Sequence, residues 1–117
     1  MPQRLTIKTS VPLSEQPNIF GMNRWHPAIP PVASLKPGED IILETLDFLD
    51  GQIKNDDNPE DVRKVDLTRA HPLTGPIYIE GAEVGDLLVV DILDIGPITP
   101  YGFSGIFAKE NGGGVFN

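Results

Sequence analysis

Twelve prolines and twelve glycines punctuate a chain of 117 residues, about a fifth of its sequence. Proline removes a backbone donor and breaks helix interiors, and glycine weakens them. A chain punctuated this densely folds as short segments joined by turns. At this length it amounts to one small domain. Six of the prolines (Pro12, Pro17, Pro27, Pro30, Pro31 and Pro37) fall in residues 10–39, which read as irregular. Around them the pattern is that of strands. Leu5, Ile7 and Thr9 alternate with Arg4, Thr6 and Lys8, as in a half-buried strand. Asp40 to Leu46 reads as a buried strand, Ile77 to Glu80 as a short one, and Asp86 to Ile95 as the strongest in the chain, apolar on both faces. Lys36-Pro37-Gly38-Glu39 has the proline and glycine placement of a type II turn. Asp50-Gly51 and Glu83-Val84-Gly85-Asp86 mark further turns, and Asn58-Pro59-Glu60-Asp61 one helical turn. The fold class expected is mainly β, a sandwich- or barrel-like domain with long Pro/Gly-rich loops and at most one short helical turn.

Charge narrows the partners. Nine basic and seventeen acidic residues leave a net charge of −8, which disfavours nucleic acid and anionic membrane alike. No apolar run approaches the ~20 residues of a membrane span. The N-terminal segment lacks the apolar core of a secretory signal, and the expected location is cytoplasmic. There is no cysteine, so disulfides, thiolate nucleophiles and Cys-ligated zinc are excluded.

The residues with chemistry to offer are few. His26 and His71 both precede prolines and sit in extended or turn backbone. Each suits a base, a ligand or a substrate clamp, and each equally suits a loop cap. Asp47, Glu80 and Asp91 lie in or beside apolar runs, where a carboxylate is costly unless paired, hydrogen-bonded or bound to a cation. Asp47 equally suits capping of the turn that follows it, and Asp91 suits facing water. Glu80 precedes Gly81, where backbone and ligand can approach closely. Trp25 beside Arg24 suits a stacking wall or a core plug. Gly112-Gly113-Gly114 offers unhindered amides for an oxyanion nest, or a flexible linker.

Several segments taken together resemble the formamidase/acetamidase family. They are Asn23-Arg24-Trp25-His26-Pro27, Asp50-Gly51-Gln52-Ile53-Lys54-Asn55 with Asp57-Asn58-Pro59, Val65-Asp66-Leu67, the long run from His71 through Gly81 to Ile92, and Lys109 to Gly114. Asn-Arg-Trp-His-Pro and Asp-Gly-Gln-Ile-Lys-Asn point to the formamidase branch. Val84 stands where the family usually has proline, which should loosen that turn. The resemblance implies a β-rich homo-oligomer that hydrolyses short linear amides, formamide and water giving formate and ammonia. It also implies a divalent metal, zinc in several members. Members run to about three times this length or more, so residues 1–117 correspond to an N-terminal portion, with further site residues beyond Asn117. Four positions inside matching motifs carry over: Asp47, Gln52, His71 and Glu80.

An amide carbonyl is a poor electrophile, so water must be deprotonated and the carbonyl polarised. On this reading Asp47 and His71 help hold the cation, and Glu80 shuttles the proton from water to the departing ammonia. His26, Trp25 and Gln52 close around a very small amide. Without a metal, Glu80 acts as base or nucleophile alone. The alternative is a non-catalytic β-rich domain or chain fragment that contributes oligomer contacts to a larger assembly.

Overall fold

Among the described residues, four three-residue strands and one four-residue helix carry the architecture, which is mainly β. The computed structural model describes residues 1–16 and 23–107. Strand β1 (Gln3–Leu5) pairs in parallel with β3 (Ile41–Leu43), Gln3 opposite Ile41 and Leu5 opposite Leu43. Strand β2 (Ala33–Leu35) pairs in parallel with β4 (Ile77–Ile79), Ala33 opposite Ile77 and Leu35 opposite Ile79. These are two separate two-stranded sheets. Parallel neighbours need a crossover of a dozen or more residues, usually helical. Here the β2–β4 crossover is mostly loop, with one four-residue helix and a 3-10 turn, because its prolines and glycines leave no stretch that can hold a long helix.

Strand ends follow from side chains that compete for the ladder. The predicted alternation persists in burial over residues 4–8, with Leu5 and Ile7 half-buried and Arg4, Thr6 and Lys8 exposed, but Thr9, expected on the inner face, is exposed. The ladder nonetheless stops at Leu5, where Glu44 takes over. Its amide donates to the Leu5 carbonyl (3.0 Å), its Oε2 accepts the Ile7 amide (3.0 Å) and its Oε1 pairs with Arg4 (3.2 Å). Among the described residues of 10–39, only the 3-10 turn at Leu13–Glu15 and β2 are regular. Pro30 and Pro31 hold the approach to β2 extended, and bonds from Val32 to Pro76 (2.9 Å) and from Glu80 to Leu35 (2.8 Å) lengthen its pairing with β4. The turn after β2 forms as predicted. The Glu39 amide reaches the Lys36 carbonyl (3.1 Å), Gly38 has φ +90°, and Glu39 Oε2 accepts the Lys36 amide (2.8 Å). Glu83–Asp86 turns the same way, with a 3.0 Å backbone bond and Gly85 at φ +98°. The expected helical turn is α1 (Glu60–Arg63), with Asn58 Oδ1 accepting the Glu60 amide (3.1 Å). Short 3-10 turns form at Leu13–Glu15 and Leu67–Arg69.

Two further expectations about burial are corrected. Asp40–Leu46 is not a buried strand: Ile42 and Leu43 in β3 are exposed, because β1 covers one edge and no layer among the described residues covers that face. Asp86–Ile95 is not buried on either face and has no strand partner among the described residues. Among the described residues Leu13, Leu35, Leu49 and Val65 are the buried apolar ones. Two buried polar side chains lie among the surrounding loops. One is Gln16, whose amide spans the Lys8 backbone at both N–H and C=O (2.7 Å each); the other is Asp50.

Candidate active site

The turn from Asp47 to Gln52 brings together three of the residues singled out by sequence. Asp47 caps it: Oδ1 accepts the Leu49 amide (2.8 Å) and Oδ2 the Gly51 amide (2.9 Å). Asp50 and Gly51 both take left-handed backbone, φ +58° and +70°, a conformation that Asp and Gly tolerate best. Leu49 is wholly buried and pins the turn to the core. Gln52 ties it to the next segment, its Nε2 donating to Leu49 O (2.8 Å) and Asp66 O (3.1 Å) and its Oε1 accepting the Asp66 amide (2.8 Å). Asp66 in turn caps the 3-10 turn through the Thr68 hydroxyl and amide, and these bonds hold its carboxyl below the usual range.

His71 is hung on the same turn. Its amide donates to Phe48 O (2.7 Å) and its ring lies 6.0 Å from the Phe48 ring. Its backbone is left-handed, φ +60°, which is unusual for a residue with a Cβ and holds the exposed imidazole in a defined place. Phe48 also stacks on Phe103 (5.9 Å) and meets Phe107 edge-on (6.4 Å). Beside this aromatic group is a pocket of about 320 Å³ lined by Asp47, Phe48, Lys54, Thr99, Tyr101 and Phe103. One wall is therefore aromatic, with a carboxylate, an ammonium and hydroxyls at its edge. Such a site suits a small molecule with both polar and apolar surface.

Glu80 lies at the end of β4, away from that turn. It is exposed, and its Oε1 accepts the Ser34 hydroxyl of β2 (3.1 Å). His26 is exposed, with Nδ1 accepting the Ala28 amide (3.1 Å), so it caps its own loop. Trp25 is 89% exposed and plugs no core. The Trp25–His26 loop is nonetheless tethered near His71: Asn23 Nδ2 donates to Thr68 O (2.6 Å) and Ala70 O (3.1 Å). Gly112–Gly114 lies outside the described residues.

Among the described residues no three His, Asp or Glu side chains gather as a metal site. Each carboxylate oxygen of Asp47 accepts one turn amide and keeps a further lone pair, and Asp47 with His71 supplies two donors, fewer than a closed metal site needs. Sequence reasoning missed Asp50, the buried carboxylate, 6% exposed. It accepts the Leu13 amide (2.8 Å) and pairs with Arg69 (3.0 Å). The Asp-Gly dipeptide signalled a turn there, but nothing local linked it to Leu13 or to Arg69. The Phe48–Phe103 stack was equally hidden, since no spacing rule joins residues that far apart.

The chain is 57% identical over 94 residues to the formamidase of Methylophilus methylotrophus, covering 79% of this chain and 23% of that protein. It is 55% identical over 103 residues to the acetamidase of Mycolicibacterium smegmatis, covering 80% and 25%. Among solved structures, the gamma lactamase from Delftia acidovorans superposes with a TM-score of 0.86 at 47% identity, over 96% of this chain and 28% of that one. The chain thus spans about a quarter of the length of the curated relatives it matches. The family model matches residues 6–117, and the chain belongs to the Acetamidase/Formamidase family.

Proposed function

We propose that this chain serves as the N-terminal portion of a hydrolase of small linear amides, with formamide and water giving formate and ammonia. The observation that carries this reading is the membership of residues 6–117 in a family whose relatives are named formamidase and acetamidase. The Asn-Arg-Trp-His-Pro and Asp-Gly-Gln-Ile-Lys-Asn segments favour formamide within that class.

The pocket beside Asp47 supplies an aromatic wall for the amide's C–H face and polar groups for its oxygen and nitrogen. In this proposal Asp47 positions the turn that carries Phe48, and Phe48 O positions His71. His71 clamps the substrate carbonyl, while Trp25, His26 and Gln52 border the site. Glu80 does not line this pocket among the described residues; in this proposal the family-length fold brings it to the amide, where it takes a proton from the attacking water and delivers it to the nitrogen as the C–N bond breaks, so that ammonia leaves and the acid remains. No step is assigned to a metal. Metal binding stands as a separate proposal in which most donors come from the rest of a family-length protein, and metal analysis before and after chelation tests it. A homo-oligomer in the cytoplasm completes the reading.

The test is ammonia release by the family-length protein carrying these residues. Formamide should turn over faster than acetamide, and benzamide hardly at all. A preference for benzamide would sink the small-amide reading.

A further inference from the structure

The segment from Asp86 to Ile95 is the most anomalous surface in the molecule. It runs without turn or bend from Asp86 to Pro97. Leu87, Leu88, Val89, Val90, Ile92, Leu93 and Ile95 are each 60–89% exposed. Folded proteins rarely leave contiguous apolar patches beyond a few hundred Å². No backbone hydrogen bond to or from residues 87–95 is present among the described residues, so the strand is unpaired at both edges. In extended backbone Leu87, Val89, Leu93 and Ile95 point one way and Leu88, Val90 and Ile92 the other. Both edges and both faces thus lack cover.

We infer that residues 87–95 form an interior strand whose occupants are β-strands and an apolar layer from the remaining sequence of a family-length polypeptide. A second copy of the chain fits less well. A copy pairing through its own 87–95 covers one edge or one face of each partner and leaves the others open, whereas this pattern demands cover on four sides. The relatives have the material: the matched segment is 23–29% of their length. The covering layer must also bring an N–H or a cation to Asp91, because a buried carboxylate without a partner is costly. The inference concerns assembly and needs no amidase activity, so it stands or falls apart from the proposed reaction.

The experiment is amide hydrogen exchange on two proteins: the chain alone, and a chimera in which residues 1–117 replace the matched N-terminal segment of the Methylophilus methylotrophus formamidase. Amides 88–94 should exchange freely in the chain alone and about 10³-fold or more slower in the chimera. V89K and V90K load opposite faces, and each should abolish that protection. Equal exchange in the two proteins overturns the inference. So does protection in the chain alone that rises with concentration, because the occupant is then a second copy. Tolerance of either lysine with protection intact also overturns it, by showing that one face stays open. Should the chimera not accumulate, the chain and the relative's remaining segment are co-expressed as two polypeptides. Co-elution with 88–94 protected supports the inference, and separate elution overturns it.

Discussion

Asp50 shows how much one residue can hold. Its carboxylate is buried, accepts the Leu13 amide and pairs with Arg69, while its own backbone is left-handed. Asp50→Ala removes an acceptor and strands a guanidinium, and Ala tolerates φ +58° poorly. Arg69 is more than a third exposed, so water re-solvates it in part. Denaturant unfolding of the family-length protein should record a loss of about 1–3 kcal/mol, and Asp50→Asn less, since Asn tolerates the backbone and keeps one acceptor. A second residue bears on chemistry. The Glu80 carboxylate is exposed and its one hydrogen bond given among the described residues is from the Ser34 hydroxyl, while the backbone amide pairs with Leu35 whatever the side chain, so Glu80→Gln should leave folding intact. If it shuttles the proton, turnover of formamide falls ~10²–10⁴-fold; near-normal turnover makes it a β2–β4 fastener. Asp47 illustrates what sequence could and could not say. A carboxylate between Leu46 and Phe48 reads equally as a ligand or as a cap, and only its bonds to the Leu49 and Gly51 amides show the cap.

Turns were the most legible elements, because their chemistry is local. Lys36–Glu39 and Glu83–Asp86 form where Gly stands at the third position, with positive φ at Gly38 and Gly85. The second turn carries Val84 at the position where proline pre-sets φ, and the Val84 amide makes no backbone hydrogen bond. Val84→Pro should therefore stabilise the family-length protein by about 0.4–1 kcal/mol through the unfolded state, read as a rise in the denaturation midpoint. An unchanged or lowered midpoint would mean that Glu83 cannot adopt the extended backbone proline demands. Strand β2 was illegible for the converse reason. Nothing in Ala33-Ser34-Leu35 signals a strand, and it exists because β4 lies beside it. The 86–95 run had the clearest strand pattern and has no strand partner among the described residues, since pattern reports what a segment needs and pairing depends on what is present.

At the scale of the whole molecule the described chain is loosely gathered. Its radius of gyration is 16.6 Å, against about 13 Å for a compact domain of this length. With only Leu13, Leu35, Leu49 and Val65 as buried apolar residues among those described, the chain by itself should lack a cooperative thermal transition. Calorimetry on the chain alone checks this. A single sharp transition with ~0.7 kcal/mol of enthalpy per residue would show that the core is already complete.

Sequence alone determined the mainly β class, the turns, the helical turn after Asn58 and the family, because each depends on neighbours within a few residues or on an ordered run of them. Tertiary structure alone decided which carboxylate is buried, which strands pair, and that His71 and Phe103 meet at Phe48. Those outcomes depend on residues as far apart as Asp50 and Arg69, or Phe48 and Phe103, meeting in space, and no local pattern encodes which of them pair.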